Sequence, residues 1–222
     1  MDRRYYLASY PRSGNTLARL LLRHHFGLNV PTIYYLDRSK IPTSPAEPLG
    51  SGDVDPVTSP SPPIGLWKTH EIVPEEGVIG AILVVRDARD AEVSFAHFKR
   101  DIEGKKNCNL RHHLKRLCRS TRWSEFNEHW LSQKNVAVVR YENLIDYKVV
   151  ISILGEALEK IGIEPKVRTS EPIETFAELS VGNPNFFRRG IVGSWKDEMP
   201  NSVKRYFWST HGAMMLRLGY GG

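Results

Sequence analysis

The sequence predicts an α/β fold in which a mostly parallel sheet lies between helices. Three observations carry that expectation. Short apolar runs alternate with stretches of helical periodicity along the chain. Two of those runs, Ile79–Val85 and Val136–Arg140, are apolar almost throughout, as suits strands covered on both faces. The length, 222 residues, suits one domain with a full core, so 1–222 is expected to be a single unit.

Taken in order, the first strand is expected at Tyr5–Ser9, followed by the turn YPRSGNT and a helix at Thr16–Phe26. From Pro42 to Pro63 no periodic pattern survives, and seven of the 14 prolines fall there. That region, about 42–63, reads as a long loop, either a plain surface connection or a lid over a binding site. A short strand follows at Gly65–Lys68, then the strand at Ile79–Val85 and a helix at Ala88–Arg100. Helical spacing then runs over Leu110–Leu131, and the strand Val136–Arg140 precedes a last helix at Leu144–Ile161.

Composition narrows the class of partner without naming it. With 31 basic and 25 acidic residues the net charge is +6, which favours anionic ligands such as phosphates, sulfates, acidic glycans, nucleic acid or a membrane surface. Two cysteines, Cys108 and Cys118, lack CxxC spacing, which points away from a disulfide framework or structural zinc and towards a reducing compartment. The start MDRRYYLASY has no apolar run long enough for a signal peptide, and IGAILVV is far short of the roughly 18 residues of a spanning segment. A cytoplasmic protein without an integral membrane segment is expected.

In an α/β fold, ligands collect where strands end and helices begin, so polar residues just after strands are the candidates. In YPRSGNT, Gly14 permits a tight turn, Ser13, Asn15 and Thr16 offer donors, and Arg12 adds charge beside a helix N-terminus. Taken alone, the same residues would also serve as an ordinary helix cap. GxxxxGK[ST] is absent. LWKTHE places His70 and Lys68 at a second strand end, a proton acceptor near neutral pH beside a fixed cation. VVRDARDAEVSFAHF brings Arg86 at a third strand end and Ser94 in the next helix, a guanidinium and a hydroxyl fit for a second anion. FFRRGIVGSWK adds Arg188, Arg189 and Gly190 in a glycine-punctuated loop. The pairs His24–His25 and His112–His113 point in different directions on a helix and complete no ligand set, so no metal is assigned.

In this order, from YPRSGNT through KTH, VVRDARDAEVSFAHF and RYENL to FFRRGIVGSWK, the motifs resemble the sulfotransferases that use 3′-phosphoadenosine 5′-phosphosulfate (PAPS). The resemblance implies a P-loop-kinase-like α/β fold of three layers and metal-free transfer of a sulfuryl group to a hydroxyl or amine. It implies Ser13, Gly14, Asn15 and Thr16 around the 5′-phosphate, with Arg12 on the transferred sulfate. It further implies His70 as base with Lys68 beside it, Arg86, Ser94, Arg188, Arg189 and Gly190 on the 3′-phosphate, and Tyr141 and Phe176 near adenine. Three positions depart from the pattern. Arg12 stands where relatives carry lysine, Leu17 where many carry tryptophan, and KDEMPNSVKR lacks the KxxxTVxxxE dimer motif, so no dimer is carried over. The competing readings are a P-loop nucleotide kinase and a PAPS- or PAP-binding module without catalysis (PAP being the desulfated product).

The acceptor is left open, a small molecule or a glycan bearing a hydroxyl. Arg111, Lys115, Arg119 and Arg122 recur at intervals of four, four and three on one predicted helix face. They read either as a solvated face or as a track for an acidic glycan. Nucleic acid is disfavoured, because no aromatics are interleaved for base stacking.

Overall fold

Four parallel strands form the centre: β1 (Arg4–Ser9), β2 (Leu66–Thr69), β3 (Val78–Val85) and β4 (Val136–Arg140), in the order β2-β1-β3-β4. In this computed structural model the described residues are 4–31, 65–101, 109–173 and 190–221. The loop expected at about 42–63 lies outside them, as do Phe176, Arg188 and Arg189. The helices are α1 (Asn15–Phe26), α2 (Ala88–Asp101), α3 (Leu110–Arg119), α4 (Arg122–Ser132), the single turn α5 (Tyr141–Leu144), α6 (Val150–Lys160), the single turn α7 (Trp195–Glu198) and α8 (Asn201–Arg217).

The layers follow from side-chain alternation along the strands. Tyr6, Ala8, Trp67, Ala81, Leu83 and Val85 join a core with residues of α2, α3, α4 and α8. Leu7, Leu66, Ile82, Val84, Ala137 and Val139 face the other way, onto α1 and α6. Register keeps the two sets in step, since Tyr6 lies between Trp67 and Ala81 and Leu7 between Lys68 and Ile82. Both faces of β3 are covered, which is why its sequence is apolar throughout.

Helix ends are set by local chemistry. α1 stops at Gly27, left-handed at φ 67°, whose N–H donates to Arg23 O, the αL ending, with Leu28 N–H donating to Leu22 O. α2 is capped by Asp87, whose carboxylate accepts from Arg89 N at 2.9 Å. The helix expected over Leu110–Leu131 is two helices. Ser120 is extended (φ −79°, ψ 134°) and ends α3, so Arg122 belongs to α4 rather than to the basic row of α3. Residues 145–149 form a turn before α6, which therefore starts later than the expected Leu144.

Candidate functional site

Because the strands are parallel, their C-terminal ends, Ser9, Thr69, Val85 and Arg140, share one edge of the sheet. Arg12, His70, Arg86 and Tyr141 follow within three residues of those ends. The sequence-predicted candidates therefore gather where this architecture places ligands.

The turn after β1 is built as a cradle. Tyr10 anchors it in the core, edge-on to Phe95 and Phe126, and Ser13 N–H returns to Tyr10 O at 3.1 Å. Arg12 (φ 67°) and Gly14 (φ 104°) are both left-handed, the kind of alternation that turns successive N–H groups towards one concave side. For an arginine that conformation costs about 1–3 kcal/mol and persists only where surrounding contacts enforce it. The first intrahelical bond of α1 is Ala18 N–H to Gly14 O, which leaves the amides of Asn15, Thr16 and Leu17 outside the helix ladder. Among the described residues no side chain caps this end, and no acid lies in the first turn, so its partial positive charge suits an anion. Ser13 Oγ is buried without a hydrogen-bond partner among the described residues.

Asn15 and Leu17 point elsewhere. Asn15 Nδ2 donates to Leu7 O at 3.2 Å and to Ser9 Oγ at 3.1 Å, so its side chain braces the turn against β1. With both Nδ2 hydrogens engaged, it has only its backbone N–H to donate to an anion. Leu17 is buried in the core between α1 and the sheet.

At the end of β2, His70 Nδ1 lies 2.7 Å from the Ser9 carbonyl oxygen. A carbonyl can only accept, so Nδ1 carries the hydrogen, and in the neutral ring the lone pair sits on Nε2. Ser9 Oγ, which accepts from Asn15, is 3.3 Å from the same nitrogen. The histidine is thus tied through Ser9 to the turn carrying Arg12. Lys68 is 2% exposed and pairs with Leu7 in the sheet, on the α1 side. An ammonium buried to that degree is tolerated only among polar or negative partners.

Arg86 links three segments. Its Nη1 donates to Arg12 O and its Nη2 to Ile191 O, each at 3.1 Å, while its guanidinium lies 4.2 Å from the centre of the Tyr141 ring. Nε is buried without a partner among the described residues. Ser94 accepts from Arg12 Nε at 3.2 Å, so both expected 3′-phosphate ligands on α2 and its approach touch the cradle arginine. Tyr141, whose phenol burial pushes to a higher pKa, packs its ring on Gly14. Gly190 opens the described C-terminal segment in a left-handed conformation, φ 64°.

Sequence reasoning missed Asp90. Its buried carboxylate accepts from Gly193 N–H (2.7 Å), Ser194 Oγ (3.1 Å) and Trp195 N–H (2.9 Å), fastening the segment after Gly190 to the first turn of α2. Arg89, held by both oxygens of Asp87, adds a stack over Trp195 at 3.9 Å. RDARD marks both aspartates, but nothing local in it reveals partners about a hundred residues away. His24 and His25 reach backbone carbonyls of Glu171 and Thr169, and among the described residues no group of three or more His, Cys, Asp or Glu could hold a metal.

No protein-family model matches the chain. Cytosolic sulfotransferase 8 of Arabidopsis thaliana is 24% identical over 242 residues, spanning 89% of this chain and 73% of the relative. Mouse sulfotransferase SULT7A1 complexed with PAP superimposes with a TM-score of 0.66 at 18% identity, over 99% of this chain and 86% of that one. Retinol dehydratase, in complexes with PAP and either androsterone or retinol, gives TM-scores of 0.60 and 0.61 at 16% and 15% identity, over 95% of this chain and 80% of that one. The fold is that of the PAPS-dependent sulfotransferases. The three-layer, P-loop-kinase-like architecture implied by the ordered motifs is the observed one, and the sulfotransferase likeness runs the length of the chain. Within this sulfotransferase fold, the described helices include none long and apolar enough to cross a membrane.

Proposed function

We propose that this chain is a cytoplasmic enzyme that moves a sulfuryl group from PAPS to the hydroxyl or amine of a small-molecule acceptor, with His70 as the base. One observation carries the reading: a histidine with its tautomer set by Ser9 O stands beside a strained, uncapped turn at the same sheet edge. The residues present suit a nucleotide with phosphates at both ends. Ser13 Oγ and Arg86 Nε are buried donors without protein acceptors among the described residues, and both adjoin the turn.

PAPS, when bound, supplies an electrophilic sulfuryl group on a phosphate leaving group, open to in-line attack. The amides of Asn15 to Leu17 and the Ser13 hydroxyl would hold the 5′ end. Arg86, with Ser94 and the segment beginning at Gly190, would hold the 3′ end, joined by Arg188 and Arg189. His70 Nε2 would take the acceptor proton, since Nδ1 is already engaged as a donor. Arg12 and Lys68 would offset negative charge growing on the bridging oxygen. Arg12 can stabilise that charge but cannot release a proton, because a guanidinium stays protonated in proteins. Retinol dehydratase binds androsterone and retinol, small hydroxylated molecules, which supports an acceptor of that class here.

Replacing His70 by alanine should lower turnover with PAPS and a phenolic or alcoholic acceptor by ~10²–10⁴-fold. Calorimetric PAP affinity should change little in the same variant. Near-normal turnover would remove His70 from the role of base. Tighter binding of ATP than of PAP by the wild type would instead favour a nucleotide kinase, and PAP binding without turnover a binding module.

A further inference from the structure

The excess positive charge of the protein is concentrated on two helices that pack side by side. α3 carries four of the 31 basic residues and α8 three, and neither carries any of the 25 acids. The rest of the chain therefore holds 24 bases against 25 acids, one more acid than base. None of Arg12, Lys68, His70 or Arg86 lies on either helix. The cations of this face thus sit on other elements than those of the proposed reaction site.

The face is ordered as well as charged. Arg111, Lys115 and Arg119 follow at intervals of four, so on a helix they form one row about 12 Å long with charges about 6 Å apart. All three are exposed and all three engage α8. Arg111 Nη2 donates to Ser202 Oγ at 2.9 Å, and Lys115 and Arg119 lie 5.5 Å and 4.5 Å from the centre of the Tyr206 ring. Stacking on an aromatic holds a guanidinium in place at reduced entropic cost while leaving donors for a carboxylate or sulfate. Arg205 extends the charge from α8, exposed beside Tyr206.

We propose that the α3–α8 face is a docking surface for a linear acidic polysaccharide, one bearing sulfates or carboxylates along its length. A straight, evenly spaced row of cations complements a linear polyanion better than it does a folded acidic protein. Nucleic acid fits less well because the exposed aromatics of α8, Tyr206 and Trp208, are already stacked with Lys115, Arg119 and Arg89 rather than offered to bases. A lipid surface fits less well because the exposed face of α3 consists of Arg111, His112, Lys115, Arg116 and Arg119, with no apolar side chain to insert.

The test is binding of the full chain to immobilised heparin, with single-stranded DNA and anionic phospholipid vesicles as competitors. The wild type should bind heparin with a log–log salt slope of about −3, as for some four neutralised charges. Lys115→Glu with Arg119→Glu should weaken that binding at least tenfold, while Lys148→Glu with Lys166→Glu, exposed cations elsewhere, should not. Both double variants should keep the wild-type melting temperature and PAP affinity. Heparin binding that survives charge reversal on α3, or tighter binding of DNA or vesicles than of heparin, would overturn the proposal. Neither result would touch the proposed sulfotransferase activity, which the PAP affinity and turnover report separately.

Discussion

At Gly14 backbone and side-chain constraints meet. A Cβ built there would fall 2.5 Å from Tyr141 Cδ2, and φ 104° is itself unfavourable for any L-residue with a side chain. Gly14→Ala should therefore cost about 1–3 kcal/mol of stability and distort the cradle as Tyr141 gives way. A lowered melting temperature together with at least tenfold weaker PAP binding would be expected. Unchanged values of both would mean the turn relaxes freely. The need for glycine was legible in YPRSGNT, yet its cause was not, because the ring it accommodates comes from the end of β4. Arg12 shows the same limit. Its charge could be read from the sequence, but its left-handed backbone, and the engagement of its side chain with Ser94 and its carbonyl with Arg86, belong to the folded turn.

Among elements, the α2 N-terminus does the most to organise the site. Its first turn and the residue pair before it supply Arg86 to the cradle, Asp87 to cap the helix, and Asp90 to fasten residues 193–195. Asp90→Asn would keep the shape but turn one acceptor into a donor facing N–H groups. Charge-assisted hydrogen bonds of this kind contribute about 1.5–3 kcal/mol, so PAP binding should weaken by roughly 10–100-fold. AMP, which lacks the 3′-phosphate, should bind almost as before. Equal losses for both nucleotides would mean that Asp90 merely holds the fold together. All four strands and helices α1 and α2 were readable to within about two residues, because apolar runs and helical spacing are local signals. The α3–α4 break was not, since Ser120 and Thr121 are weak interrupters and the apolar spacing continues through them. Helix α8 was missed because its buried face mixes Val203, Phe207, His211, Met214 and Met215 with a polar sequence. The sites read just after strands gathered at one edge as expected, whereas Asp90, with partners about a hundred residues distant, left no local trace.

For the whole molecule, two buried titratable groups oppose each other across the pH range. Glu92 on α2 is fully buried between Tyr10, Cys118 and the charge of Lys99, and burial raises its pKa from 4.5 to about 8. Between those values the folded chain holds a proton that the unfolded chain has lost, so stability falls as pH rises towards 8. His211 on α8, bonded to Ser124 Oγ at 2.7 Å, is pushed down from 6.5 to about 4 by burial. There the unfolded chain binds the extra proton, so stability falls as pH drops from about 6.5 to 4. Above pH 6.5 only the glutamate acts. Glu92→Gln should thus melt several degrees higher than wild type at pH 8 and close to it at pH 5, given about 2–4 °C per kcal/mol in a chain of this size. Parallel melting curves at both pH values would show that Glu92 does not stay protonated. The sheet order also governs how the protein assembles. β1 is made first yet sits between β2 and β3, whose paired residues lie some 60 and 75 positions later. Until β3 has been synthesised and docked, the nascent chain carries an unsheltered apolar strand, and the anion cradle at its end has no second wall. Under the proposed function, competence to bind PAP would arrive only after β3 has docked, which would make ligand capture a reporter of completed folding rather than of an early local structure.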